Sequence, residues 1–106
     1  MFTRIVEVNC KPGKAKEFCQ MVEGKVVPIM RKVDGYRDGV LLISQSDSDR
    51  VLSISFWNSR QDAERYQREQ FPKVLEMLRS LYVADPQTET YDVAVSTAHQ
   101  ITTKAA

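Results

Sequence analysis

Two runs in the middle of the chain decide how the rest is read: Val40-Leu41-Leu42-Ile43-Ser44-Gln45 and Val51-Leu52-Ser53-Ile54-Ser55-Phe56-Trp57. The first has the composition of an interior strand, led into by Tyr36-Arg37-Asp38-Gly39. The second alternates, with Leu52, Ile54 and Phe56 on one side and Ser53, Ser55 and Trp57 on the other. Between them Ser46-Asp47-Ser48-Asp49-Arg50 is a turn by composition. The two runs therefore read as a β-hairpin.

Each side of the hairpin carries a helix and then a strand. Upstream, Ala15 onward places Phe18, Met21, Val22, Val26, Ile29, Met30 and Val33 at helical spacing, ending at Asp34-Gly35. Pro28 within this pattern predicts a kink or break, and Gly24 loosens the same segment. Lys11-Pro12-Gly13-Lys14 separates the helix from a first strand over residues 2–9, which offers Arg4, Val6 and Val8 on one face. Downstream, Ser59 is the expected N-cap of a helix with Asp62 three residues on, followed by Ala63, Tyr66 and Gln70. Pro72 then opens a second helix carrying Val74, Leu75, Leu78 and Leu81. Tyr82 to Thr88 reads as a connector and Glu89 to Ala98 as a fourth strand. The order β, α, β, β, α-α, β is the split βαβ plan: an α+β fold in which a four-stranded antiparallel sheet carries helices on one face. The other face keeps apolar groups, so a second copy of the chain is expected against it.

The composition narrows the partners. In 106 residues, 15 Lys and Arg stand against 14 Asp and Glu with the signs interspersed, so no basic stripe invites nucleic acid. The longest apolar run, Val40 to Ile43, is far below the ~20 residues of a membrane span. No signal-type apolar stretch follows Met1, and a cytoplasmic location is the expectation. Cys10 and Cys19, without a His/Cys cluster, indicate neither a disulfide framework nor a metal site, and they read as reduced thiols. Met21, Met30 and Met77 fall at helical spacing as core filler.

Five residues could line a ligand pocket if the Trp57 face meets the helices: Trp57 as an aromatic wall, Ser53 and Ser55 as small hydroxyls, Tyr66 on the inner helical stripe and Arg4 as a cation. Trp57 and Tyr66 read equally as core residues. Arg4 either meets a phenolate or carboxylate ligand or pairs with Glu7 or Asp92. His99, the one histidine, has the chemistry of an acid/base, whereas its place near the C-terminus suits a surface or dimer-edge role.

These features resemble the antibiotic biosynthesis monooxygenase (ABM) domain, a ferredoxin-like unit of the dimeric α+β barrel superfamily. The similarity covers roughly residues 2–98. It is carried by Lys11-Pro12-Gly13-Lys14, by Pro28 with Asp34-Gly35, by Phe56-Trp57-Asn58-Ser59, and by Gln61-Asp62-Ala63 with Tyr66. The resemblance implies one ABM-like domain over residues 1–98 with a tail over 99–106, its frayed end at residues 102–106. It also implies a homodimer and a pocket between sheet and helices for a small aromatic substrate. The expected chemistry is cofactor-independent oxidation of a phenol or quinol, with no metal and no flavin; the alternative is a ligand-binding or regulatory dimer of the same fold. The haem-degrading branch is disfavoured, because its Asn, Trp and His positions fall at or near Val6, Tyr66 and Glu76. Trp57 matches the strand-three tryptophan of the oxygenase branch, while Ser53 and Ala63 stand where that branch has Asn and Tyr.

Overall fold

The computed structural model describes residues 1–99. The elements run β1 (Phe2–Asn9), α1 (Ala15–Met21), a π-helical stretch (Val22–Val26), α2 (Val27–Met30), β2 (Tyr36–Ile43) and β3 (Arg50–Trp57). They continue with α3 (Arg60–Glu69), α4 (Phe71–Leu78), a short 3-10 turn (Arg79–Leu81) and β4 (Gln87–Asp92). All pairings are antiparallel and the strand order is β2-β3-β1-β4, so this is the expected α+β sheet with β1 and β3 at its centre. The expected tail lies outside the described residues except for His99.

The strand limits differ from the expectation for physical reasons. β2 starts at Tyr36 rather than Val40, because the chain pairs with β3 as far back as Trp57 through an irregularity between Tyr36 and Asp38. β4 runs over Gln87–Asp92, not over Glu89 to Ala98. Its partner β1 begins at Phe2, opposite Asp92, so past one further bond from the Val93 N–H to the Met1 carbonyl there is no strand left to pair with. The connector accordingly shortens to residues 82–86.

In the first helical segment, the proline acts on the hydrogen-bond ladder. Pro28 has no N–H for the carbonyl of Gly24, four residues back, and its ring crowds that carbonyl. The backbone widens into the π pattern just before it, and the Val27 N–H bonds to the Val22 carbonyl, five residues back. The helix continues past Pro28 and stops at Met30. Gly35 then turns the chain at φ +85°, under the Asp62 side chain, where a Cβ would clash with the Asp62 carboxyl group. α3 starts as expected, with Ser59 Oγ accepting from the Asp62 N–H at 3.2 Å. Pro72 lies in the first turn of α4.

The core fills the space between the inner sheet face and the helices, with Phe18, Val26, Met30, Tyr66, Phe71, Val74 and Leu78 above Val6, Val8, Val51 and Trp57. The other sheet face carries Val40, Leu42 and Tyr91 about half exposed. After β4 the chain crosses one end of that face to the far edge, where His99 stacks on Phe56 at 4.8 Å and its Nε2 lies 2.7 Å from Asp38 Oδ2.

Candidate functional site

The register arranges the inner sheet face in rows. Phe2, Trp57 and Tyr36 form an aromatic row; Arg4, Ser55 and Gly39 form the next; Val6, Ser53 and Leu41 form the third. A helix-covered sheet needs bulky inward side chains to reach close packing. Serine, serine and glycine at the middle of the face leave the layer unfilled. The result is a cavity of about 140 Å³, roofed by Phe18, Val22, Val26 and Met30 and lined by Arg4, Ser53, Ser55 and Tyr66.

Arg4 is 3% exposed. One of its terminal nitrogens donates to Gln67 Oε1, and its guanidinium lies over the rings of Phe71 at 4.6 Å and Tyr66 at 5.0 Å. Neither carboxylate considered as its partner is taken: Glu7 faces Arg50, and no acid among the described residues pairs with Arg4. Burial lowers its pKa from the usual arginine value, with Tyr66 acting in the opposite direction. Arginine values lie so high that the group keeps its charge at neutral pH. Every fully enclosed side-chain polar atom of the described residues has a partner, so the guanidinium nitrogens that Gln67 does not satisfy are not fully enclosed, and Arg4 is among the residues that line the cavity. Gln67 and the two aromatic faces offset part of the cost of burying this cation, and a bound anion would add the counter-charge that they do not supply.

Trp57 stands behind this chamber. It is fully enclosed, and its Nε1–H donates to Ser55 Oγ at 2.9 Å. Its ring packs between Tyr36 at 5.5 Å and Tyr66 at 5.1 Å. Trp57 therefore meets the cavity through Ser55, whose oxygen accepts from the indole and keeps its own proton to donate. Ser53, Ser55, Tyr66 and Arg4 come together on the cavity wall, with Trp57 one contact removed. Tyr36, which sequence reasoning missed, also lines the cavity, and its hydroxyl lies 3.0 Å from the position of a Cβ on Gly39. Burial pushes the Tyr66 phenol up to about 12, with Arg4 pulling it down and Tyr36 pushing it further up. The Tyr36 phenol is raised too, by burial first and then by Asp38, with Arg31 opposing.

The remaining candidates lie elsewhere. His99 is on the opposite sheet face, beyond the layer that holds the cavity. Burial pushes the Cys10 thiol up to about 11, with Cys19 and Asp49 adding to it, which makes it a poor nucleophile at neutral pH. No helix of the described residues is long and apolar enough to cross a membrane.

The fold has known counterparts. A family model described as antibiotic biosynthesis monooxygenase matches residues 1–74. The chain belongs to that family. Among solved structures, this ABM chain is similar to a monooxygenase of Streptomyces coelicolor, the ActVA-Orf6 product in complex with nanaomycin D: 19% identity, 90% of this chain and 88% of that one covered, TM-score 0.78. It is also similar to SnoaB, a cofactor-independent oxygenase of Streptomyces nogalater: 15% identity, 92% and 97% covered, TM-score 0.74. A Nitrosomonas europaea protein of unknown function shares the fold at 12% identity, covering 91% of each chain, with TM-score 0.76. Identities at this level carry the fold. No curated protein matches the sequence.

What the ABM chamber can do follows from its wall. It can hold an aromatic ring against aliphatic and aromatic side chains, and it can stabilise negative charge on a ring substituent through Arg4 and the Ser55 hydroxyl. Among the described residues no carboxylate, imidazole or amine side chain lines it, so these residues build no general base for proton abstraction into its wall.

Proposed function

We propose that the protein is a small-molecule oxygenase that oxidises a phenol- or quinol-like substrate without a cofactor, bound in the chamber between sheet and helices. The observation that carries this reading is Arg4, a buried cation without a carboxylate partner among the described residues at an aromatic-walled cavity. Placed against it, a phenol ionises more readily, because the charged form gains a charge-assisted contact that water would otherwise supply. The electron-rich phenolate gives an electron to dioxygen. When the two radicals recombine at the ring, one oxygen atom stays as a carbonyl and the other leaves as water, so a phenol and dioxygen become a quinone and water. The protein's part is to bind and orient the substrate and favour its anion: Arg4 and Ser55 at the oxygen, Ser53 and Tyr66 along the ring, Trp57 holding Ser55 in place.

As homodimer partners, two copies would meet through the apolar sheet face that bears Val40 and Leu42. The expectation of a cytoplasmic protein stays with this reading. Haem degradation gains no support, since the one histidine pairs with Asp38 on the far sheet face. A second reading, a ligand-binding dimer without turnover, draws on the lack of a general base among the described residues of the cavity wall.

Oxygen uptake with a panel of hydroquinones and naphthols separates the two. The oxygenase reading expects uptake that falls on the order of 10²-fold in Arg4→Met, the effect of removing one charge-stabilising group. Binding throughout the panel with no uptake leaves the second reading.

A further inference from the structure

We infer that the chamber is built for a single aromatic ring carrying one oxyanion, a carboxylate or an ionised phenol, and that larger fused-ring compounds do not fit. This deepens the function proposed above and uses the same site. The size limit comes from volume. An apolar cavity of roughly 150 Å³ holds one benzene molecule, and this chamber offers about 140 Å³. Toward the helical roof a second fused ring would have to displace Phe18, Val26 or Met30, each under a tenth exposed and part of the core, and toward the open side of the chamber it would leave the apolar wall for water.

The distribution of polar groups sets the rest of the ligand. Arg4 and Ser55 face each other across neighbouring strands, and Gly39, next to Ser55 in the same row, leaves room for the Tyr36 hydroxyl. The charge therefore lies in that row with the Ser55 and Tyr36 hydroxyls, Ser53 and Tyr66 adding hydroxyls beside it, while the roof of Phe18, Val22, Val26 and Met30 is aliphatic and aromatic. A ligand with one anionic substituent and an otherwise apolar ring satisfies both parts. A sugar, a nucleotide or an inorganic phosphate would leave polar atoms against Val22, Val26 and Met30 without partners. A neutral ring would leave Arg4 without its counter-ion.

Calorimetric titration at neutral pH with benzoate, benzyl alcohol and 2-naphthoate tests both halves. Benzoate is expected to bind one molecule per chain, about tenfold or more tighter than either of the others, as one charge-assisted contact implies. Arg4→Met is expected to weaken benzoate by about the same factor and to leave benzyl alcohol nearly unchanged. Circular dichroism and thermal unfolding report whether this variant folds; if it does not, the ranking of the three ligands on the wild-type protein decides alone. The double variant Val22→Ala, Val26→Ala, which enlarges the roof, is expected to gain affinity for 2-naphthoate. The inference is overturned if 2-naphthoate binds the wild type as tightly as benzoate, if benzyl alcohol does so, or if benzoate does not bind. Oxygen uptake separates this outcome from the fate of the oxygenase reading. Uptake with naphthohydroquinone but not with hydroquinone overturns the one-ring limit while the oxygenase stands. Benzoate selectivity without uptake from any quinol leaves the ligand class intact and removes the oxygenase.

Discussion

Tyr66 combines the two properties that make the site distinct, a buried phenol and a neighbouring cation. Its pKa is pushed up to about 12, burial being the larger influence and Arg4 the smaller, opposing one. The native state therefore holds a proton between pH 10 and 12 that the unfolded chain has released, and stability falls as pH rises through that window. Ultraviolet titration should show, in the difference between wild type and Tyr66→Phe, one ionisation near 12; an ordinary value near 10 would mean that the phenol is solvated. The alkaline loss of stability should also be shallower in Tyr66→Phe. Four of the five candidate residues on the cavity wall or behind it were readable from alternation alone. With Ser53, Ser55 and Trp57 on one face of β3, the antiparallel register brings Arg4 and Val6 opposite them. Tyr66 came from helical spacing. Tyr36 was hidden by parity: the irregularity next to Arg37 puts Tyr36 and Gly39 on the same face, although strict alternation would separate them. That Trp57 reaches the cavity only through Ser55 depends on side-chain rotamers, which no spacing encodes.

The elements differ in how strongly their own residues define them. The start of α3 was fully legible, because Ser59 both accepts from the Asp62 N–H and donates to its carboxylate at 2.9 Å, a local arrangement within four residues. Ser59→Ala should lower the unfolding free energy by about 1 kcal/mol, with urea midpoint reduced and slope unchanged. A loss of a few tenths only would show that the first turn of α3 is held by its packing on the sheet instead. Pro28 announced a disturbance in the first helical segment but not its form. Whether a helix meets a proline with a kink or with a π turn depends on what lies against it, and here Val22 and Val26 take places in the cavity roof. β4 was the least legible element. The apolar alternation of Tyr91, Val93 and Val95 continues past Asp92, yet a strand extends only where a neighbour offers donors and acceptors, and β1 has ended.

The whole molecule presents a sheet with one covered face and one open face. On the open face Val40 is 51% and Leu42 47% exposed, next to the half-buried Leu52, Ile54 and Phe56 on β3. The Val93 to His99 segment crosses only one end of this face, where His99 meets Phe56 and Asp38. Apolar side chains clustered in this way gain free energy when another surface removes them from water, about 25 cal/mol for each Å². In the proposed dimer that surface is the same face of a second copy. A charge within the apolar patch would then have to be buried in both copies, at a cost well above that of an exposed charge on a monomer. Light scattering at micromolar concentration should give twice 12.1 kDa for the wild type and 12.1 kDa for Leu42→Arg. Leu42 lies on the outer face of β2, away from the cavity, so circular dichroism and benzoate binding should be retained in the variant. A wild-type particle of 12.1 kDa would sink the dimer. It would leave the one-ring chamber untouched, because Arg4, Ser55 and the helical roof all come from a single chain.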